Sequence, residues 1–196
     1  MTLYIAHRIN TIEQLKQVPP EYGIEVDLRD YGDRLVLQHD PFIGGEDFEP
    51  FLAHYRHALI ILNIKSERIE HRVLELLEKH AIEQYFFLDS SFPMIVKLSE
   101  SNSRFAVRFS EYEKLDTVLA MKNRAGWVWV DCFTKLPLDS ESYKLLKQNG
   151  FKLCLVSPEL QGRETDIQKY RELLASQGIL MDAICTKLYQ IPQWQG

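Results

Sequence analysis

Eight short apolar runs, rich in β-branched and aromatic residues, alternate along the chain with amphipathic stretches, and this rhythm limits the fold more than any other feature. They are LYIAH (3–7), GIEVDL (23–28), ALIILNIK (58–65), QYFFLD (84–89), RFAVRF (104–109), GWVWVDCF (126–133), FKLCLVS (151–157) and DAICTK (182–187). Each has the length and composition of a strand. Between most of them the pattern turns helical. SERIEHRVLELLEKHA (66–81) opens on Ser66 as a plausible N-cap and repeats apolar residues at Ile69, Val73, Leu76 and Leu77. FPMIVKLSES, SEYEKLDTVLAMKN, DSESYKLLKQNG and TDIQKYRELLASQG read the same way, and two of them end at Gly150 and Gly178, placed as C′ residues. Strands alternating with helices predict a parallel sheet. Eight such units predict an α/β fold, a single-domain (β/α)8 TIM barrel over residues 1–196, slightly short of the usual ~200–250 residues. A doubly wound open sheet is the main alternative. A further run, RLVLQH (34–39), follows RDYGD and reads as a hairpin or continuation beside the second strand.

A chain that is 45% hydrophobic and 26% charged has enough apolar residues for a substantial core. A net charge of −5 and a pI near 5.7 argue against nucleic acid or an anionic membrane as the default partner, while leaving room for a local basic pocket. No run approaches the roughly 18 apolar residues of a membrane span, and MTLYIAHR enters a strand pattern without a basic leader. The expected location is cytoplasmic. Cys132, Cys154 and Cys185 lie far apart, beside apolar runs and without CxxC spacing, so buried reduced thiols are expected.

Strand residues i and i+2 share a face. In GIEVDL the outward packing of Ile24, Val26 and Leu28 therefore sends Glu25 and Asp27 inward together. Two carboxylates on one buried face repel unless a cation or proton neutralises them. Polar residues gather at the C-terminal ends of the other runs as well: His7 and Arg8, Asn63 and Lys65, Asp89, Arg108 and Asp131. In a barrel these ends face one mouth, where barrel enzymes place their chemistry. Glu25, Asp27 and the carbonyl of Asn63 form a hard oxygen set suited to Mg²⁺, Ca²⁺ or Mn²⁺. His7 and His39 are candidates for general acid and base. Arg8, Lys65 and Arg108 are candidates to hold a phosphate, while Asp89 and Asp131 pair with those cations or meet substrate. Glu159 and Arg163, in VSPELQGRETD, either face the mouth or belong to a loop leading into a helix with Thr165 as N-cap. Trp127 and Trp129 share a strand face and are expected in the core, with a sugar-stacking platform as the lesser reading. Trp194 caps the barrel base or stays loose.

The segments AHR, GIEVDLRDYGDRLVLQHDP and LNIK resemble the glycerophosphodiester phosphodiesterases of the phosphatidylinositol-specific phospholipase C-like superfamily, and SSFPMIVKL (90–98) is similar to the segment after that family's fourth strand. The resemblance covers the first half of the chain. It implies His7 and His39 as the acid/base pair, Glu25 and Asp27 as metal ligands, and Arg8 and Lys65 as phosphate-facing residues. It also implies a metal-dependent hydrolysis of a soluble small-molecule phosphodiester of the glycerophosphodiester type through a cyclic phosphate, while an open mouth would admit a bulkier sugar-phosphate diester. The chain departs from the family pattern in three places. Asn63 stands where a third metal-ligating glutamate is usual, Ile9 replaces a glycine, and only about eighteen residues separate His39 from the third barrel strand, so the inserted segment over the mouth is nearly absent. These departures keep two alternatives in play: a non-catalytic barrel that binds a phosphorylated ligand or partner, and a phospholipase C-like lyase or phosphomonoesterase.

Overall fold

The computed structural model describes residues 1–196. Its ten strands are β1 (Leu3–Ala6), β2 (Gly23–Tyr31), β3 (Arg34–Leu37), β4 (Glu46–Asp47), β5 (Ile60–Ile64), β6 (Tyr85–Leu88), β7 (Ala106–Phe109), β8 (Trp127–Val130), β9 (Lys152–Val156) and β10 (Ala183–Thr186). Its helices are α1 (Ile12–Gln17), α2 (Phe48–His54), α3 (Glu70–Lys79), α4 (Phe92–Leu98), α5 (Leu115–Ala120), α6 (Ser140–Gln148), α7 (Ile167–Ser176) and α8 (Ile191–Gln195).

Eight strands pair in parallel, β6–β5–β2–β1–β10–β9–β8–β7, and form a curled sheet. Its two ends approach at β6 and β7, where Phe87 forms an isolated parallel bridge with Phe105 and its N–H donates to the Arg104 carbonyl at 2.8 Å. The remaining pair, β3 and β4, is antiparallel and attached to the far end of β2, Tyr31 facing Arg34 across a turn at Gly32. RLVLQH is thus a hairpin arm and not a barrel strand, as its spacing implied.

The alternation of each strand separates two cores. Ile24, Val26 and Leu28 of β2 join a large buried layer between sheet and helices. The opposite parity fills the inside of the curl: Ile5, Ile61, Phe86, Trp127, Trp129, Cys154 and Cys185 form a second, smaller cluster. Trp127 stacks on Phe86 at 4.6 Å between ring centroids, so both strand tryptophans are core residues. All three cysteines are buried and unpaired. Trp194 belongs to the outer layer, its indole N–H donating to Ser157 Oγ at 2.8 Å; it neither caps the base nor hangs free.

Helix boundaries follow local chemistry. Asp139 and Ser142 form a reciprocal capping box on α6, and Thr11 and Gln14 form one on α1. Gly150 and Gly178 follow their helices at φ +85° and +66°, the left-handed conformation that a Cβ disfavours. Two caps differ from expectation. α3 begins at Glu70, and Ser66 instead accepts the Asp30 N–H at 3.3 Å; Thr165 sits within a 3₁₀ turn ahead of α7. No helix is long and apolar enough to cross a membrane.

Candidate active site

On the inner face, apolar residues give way to polar ones toward the C-terminal end of most strands. Ile5 leads to His7, Ile61 to Asn63 and Lys65, Ala106 to Arg108, Trp129 to Asp131, and Cys185 to Lys187. Glu25 and Asp27 stand on the same face of β2 and are buried, at 0% and 1% exposure. Six of the eight parallel strands, β1, β2, β5, β7, β8 and β10, therefore deliver polar residues from their ends to one mouth, because all eight strands point the same way.

Glu25 is the deepest charge. Its Oε2 accepts the Arg8 N–H at 2.8 Å and lies 3.8 Å from His7 Nε2, while Oε1 accepts from Asn63 Nδ2 at 2.8 Å. Burial, reinforced by the neighbouring Asp27, pushes its carboxyl up to about 7. His7 moves the other way. Burial disfavours its imidazolium, the charges of Lys187, Arg8, Lys65 and His39 add to that, and its pKa falls to about 3. His7 is therefore a neutral imidazole at physiological pH, and its Nδ1 is buried with no protein partner.

Asp27 is held by three residues. Asn10 clamps it twice, Nδ2 donating to Oδ2 and Oδ1 accepting the Asp27 N–H, both at 2.9 Å. Arg8 Nε lies 3.4 Å and Lys65 Nζ 3.6 Å from its carboxylate oxygens. Lys65 also reaches Asp89 at 3.5 Å. Arg108 contacts Asp89 at 2.5 Å, Glu113 at 3.6 Å, and Asp131. Asp89 and Asp131 are thus partners of the mouth's cations. Arg8 and Asp89, both at strand ends, adopt positive φ of 58° and 59°, a conformation that costs a non-glycine residue about 1 kcal/mol or more. For Arg8 the strain aims the backbone N–H at Glu25.

His39 follows the hairpin arm. Its Nδ1 contacts Asp40 Oδ1 at 2.8 Å and its carbonyl accepts from Arg29 at 3.1 Å. The preceding residue, Gln38, donates its N–H to the Asp27 carbonyl at 2.9 Å, which ties this segment to the mouth. The structure thus brings His7, Arg8, Glu25, Asp27, Asn63, Lys65 and Arg108 together, with His39 on the adjoining arm.

Glu159 and Arg163 have structural duties. Glu159 is buried and accepts from Ser157 Oγ, from Thr186 Oγ1 at 2.5 Å and from the Lys187 N–H at 3.1 Å. Arg163 donates to the carbonyls of Cys132 and Phe133, each at 2.6 Å. Sequence reasoning passed over Asn10 and Lys187. Asn10 lies in a loop, where periodicity carries no information. Lys187 was legible, since Ala183, Cys185 and Lys187 share one strand parity. A cavity of about 610 Å³ lies elsewhere, on the outer surface beside Leu52, His57 and His80. His57 is spent there on the Val18 carbonyl at 2.9 Å, so the convergence of charge at the mouth outweighs that volume.

Glu25, Asp27 and Asn63 carry oxygen donors of the kind a hard divalent cation takes. Asp27 and Asn63 are register partners on β2 and β5, and Asn63 Oδ1 is buried without a donor. No three His, Cys, Asp or Glu side chains converge as a metal-binding group.

Fold and site define a curled parallel α/β sheet with a charged mouth at its strand ends. Solved structures share this fold. An Oleispira antarctica phosphodiesterase, in complex with its product sn-glycerol-3-phosphate, superposes with a TM-score of 0.70 at 15% identity over 98% of this chain and 96% of its own. A glycerophosphodiester phosphodiesterase from Agrobacterium tumefaciens gives 0.68 at 16% identity, over 100% and 99%. A glycerophosphoryl diester phosphodiesterase from Parabacteroides distasonis gives 0.68 at 14%, over 99% and 86%. No sequence-family model matches the chain, and no curated protein does. The fold of this chain is that of glycerophosphoryl diester phosphodiesterases.

Proposed function

We propose that the protein is a metal-dependent phosphodiesterase acting on a small glycerophosphodiester or sugar-phosphate diester, built on a compact (β/α)8 barrel without an inserted segment over the mouth. The observation that carries this reading is the neutral His7 at 3.8 Å from buried Glu25, within a mouth that also gathers Asp27, Asn63 and several cations. The likeness to phosphodiesterase structures supports it at the level of fold.

Glu25, Asp27 and Asn63 would hold Mg²⁺, Ca²⁺ or Mn²⁺. When bound, such an ion polarises the phosphoryl oxygens and offsets the developing negative charge. The chain's own residues then supply orientation and proton transfer. His7, neutral at physiological pH, accepts the proton of the substrate hydroxyl as that oxygen bonds to phosphorus. His39, oriented through Nδ1 by Asp40, protonates the departing alkoxide as the P–O bond breaks and a cyclic phosphate forms. Water opens the ring with the two roles exchanged. Arg8, Lys65 and Arg108 border the diester, and their pairing with Asp27, Asp89 and Asp131 keeps them pre-organised. A non-catalytic barrel that binds a phosphorylated ligand or a partner is the second reading, favoured by the three side chains, Asn10, Arg8 and Lys65, that already engage the Asp27 carboxylate.

The test is a panel of diesters, from glycerophosphocholine to sugar-phosphate and activated aryl diesters, assayed with Mg²⁺, Ca²⁺, Mn²⁺ or chelator beside His7→Ala. Metal-dependent turnover reduced about 10²–10⁴-fold in the variant is expected for loss of a general base. Free phosphate as product would identify a phosphomonoesterase, and cyclic phosphate accumulating in chelator would identify a lyase. Silence across the panel, with folded protein that binds no metal, would leave the binding barrel.

A further inference from the structure

Three of the four cations at the mouth are occupied by carboxylates: Arg8 by Asp27, Lys65 by Asp27 and Asp89, and Arg108 by Asp89, Asp131 and Glu113. The ammonium of the fourth, Lys187, has neither an ion-pair nor a hydrogen-bond partner in the protein. Its position is set by register. Ile5 and Cys185 are partners across β1 and β10 and both point into the inner core, so His7 and Lys187, two residues further along, emerge side by side on the same face. The His7 N–H donates to the Thr186 carbonyl at 2.9 Å, which carries the pairing past the strand ends.

Glu159, the buried carboxylate at the Lys187 backbone, spends its oxygens on the Lys187 N–H, Thr186 Oγ1 and Ser157 Oγ. It fixes where the lysine emerges without neutralising its ammonium. An unpaired, half-buried ammonium beside the His7 ring lacks an anion.

We propose that Lys187 is the primary phosphate-anchoring cation of this mouth, holding a non-bridging oxygen of the ligand's phosphate next to His7. The inference rests on the phosphodiesterase reading for the ester but not for the anion site, and the two are separable by experiment. sn-Glycerol 3-phosphate is titrated calorimetrically into wild-type protein, Lys187→Gln and Lys187→Arg, with thermal melts as a folding control. Turnover of an activated aryl diester is measured on the same samples.

The glutamine variant is expected to melt like the wild type and to bind about 10–100-fold more weakly, the scale of one hydrogen bond to a charged group. Arginine restores binding to within about 3-fold, because it keeps the charge at similar reach. In turnover, KM rises more than kcat falls. Lysine-dependent phosphate binding without any diester turnover would sustain the anchor and overturn the phosphodiesterase reading. Turnover and binding equal to wild type in Lys187→Gln would overturn the anchor alone. Wild-type protein that binds no sn-glycerol 3-phosphate at millimolar concentration would overturn it as well.

Discussion

Glu25 and His7 illustrate how one environment moves two groups in opposite directions. Burial favours the neutral form of each, so the carboxyl rises toward 7 and the imidazole falls toward 3. The consequences for stability have opposite signs. Glu25, with its folded pKa raised, contributes stability that is fully present below the unfolded value of about 4.5 and is lost as pH rises through about 7. His7, with its folded pKa lowered, contributes a loss of stability as pH falls below about 6.5, since only the unfolded chain then takes up its proton. In metal-free protein, Glu25→Gln should therefore lose less stability between pH 5 and pH 7.5 than the wild type. Chemical denaturation at the two pH values checks this, and parallel losses would show that Glu25 is not held in its raised state.

At the level of elements, the mouth depends on how closely β1, β2 and β5 approach. Gly23 begins β2 on the inward parity of Glu25. A Cβ there would meet the Ile5 side chain and lie 2.9 Å from the Leu59 carbonyl. Gly23→Ala should cost about 1–3 kcal/mol by overpacking, read as a lowered denaturation midpoint with an unchanged slope. Asp139→Ala, which removes the α6 capping box, should cost about 1 kcal/mol and leave activity unaltered. The contrast separates elements that position the site from those that only cover the sheet. The Glu111 carboxylate also positions a rim, accepting from the backbone N–H groups of Phe133, Thr134 and Lys135 at 3.2, 2.7 and 2.8 Å.

At the scale of the molecule, the mouth is a cluster of paired charges with the Lys187 ammonium left over, set in a chain of net charge −5. Asn63 is its pivot, because its amide donates to Glu25 where a third carboxylate would repel it. Asn63→Asp should lower stability in chelator by about 3 kcal/mol, the scale of an uncompensated buried charge. Added Mg²⁺, Ca²⁺ or Mn²⁺ should restore the melt, with roughly tenfold tighter metal binding than wild type, since a charged oxygen replaces a neutral one. Calorimetry that finds equal affinity in both proteins would exclude residue 63 from the metal site.

The sequence by itself determined the strand–helix alternation, the inward parity of Glu25 and Asp27, the hairpin at 34–39 and the core role of Trp127 and Trp129, because these follow from periods of 2 and 3.6 residues. It also placed His7, Lys65 and Arg108 at strand ends. Tertiary structure alone decided which cations are spent on carboxylates, that Glu159 and Arg163 serve the scaffold, and that Asn10 clamps Asp27. Those outcomes depend on distances between residues far apart in the chain, and period carries no record of them. Lys187 lies between the two cases: its parity was written in Ala183 and Cys185, and its lack of a partner was visible only once every neighbouring carboxylate had been placed.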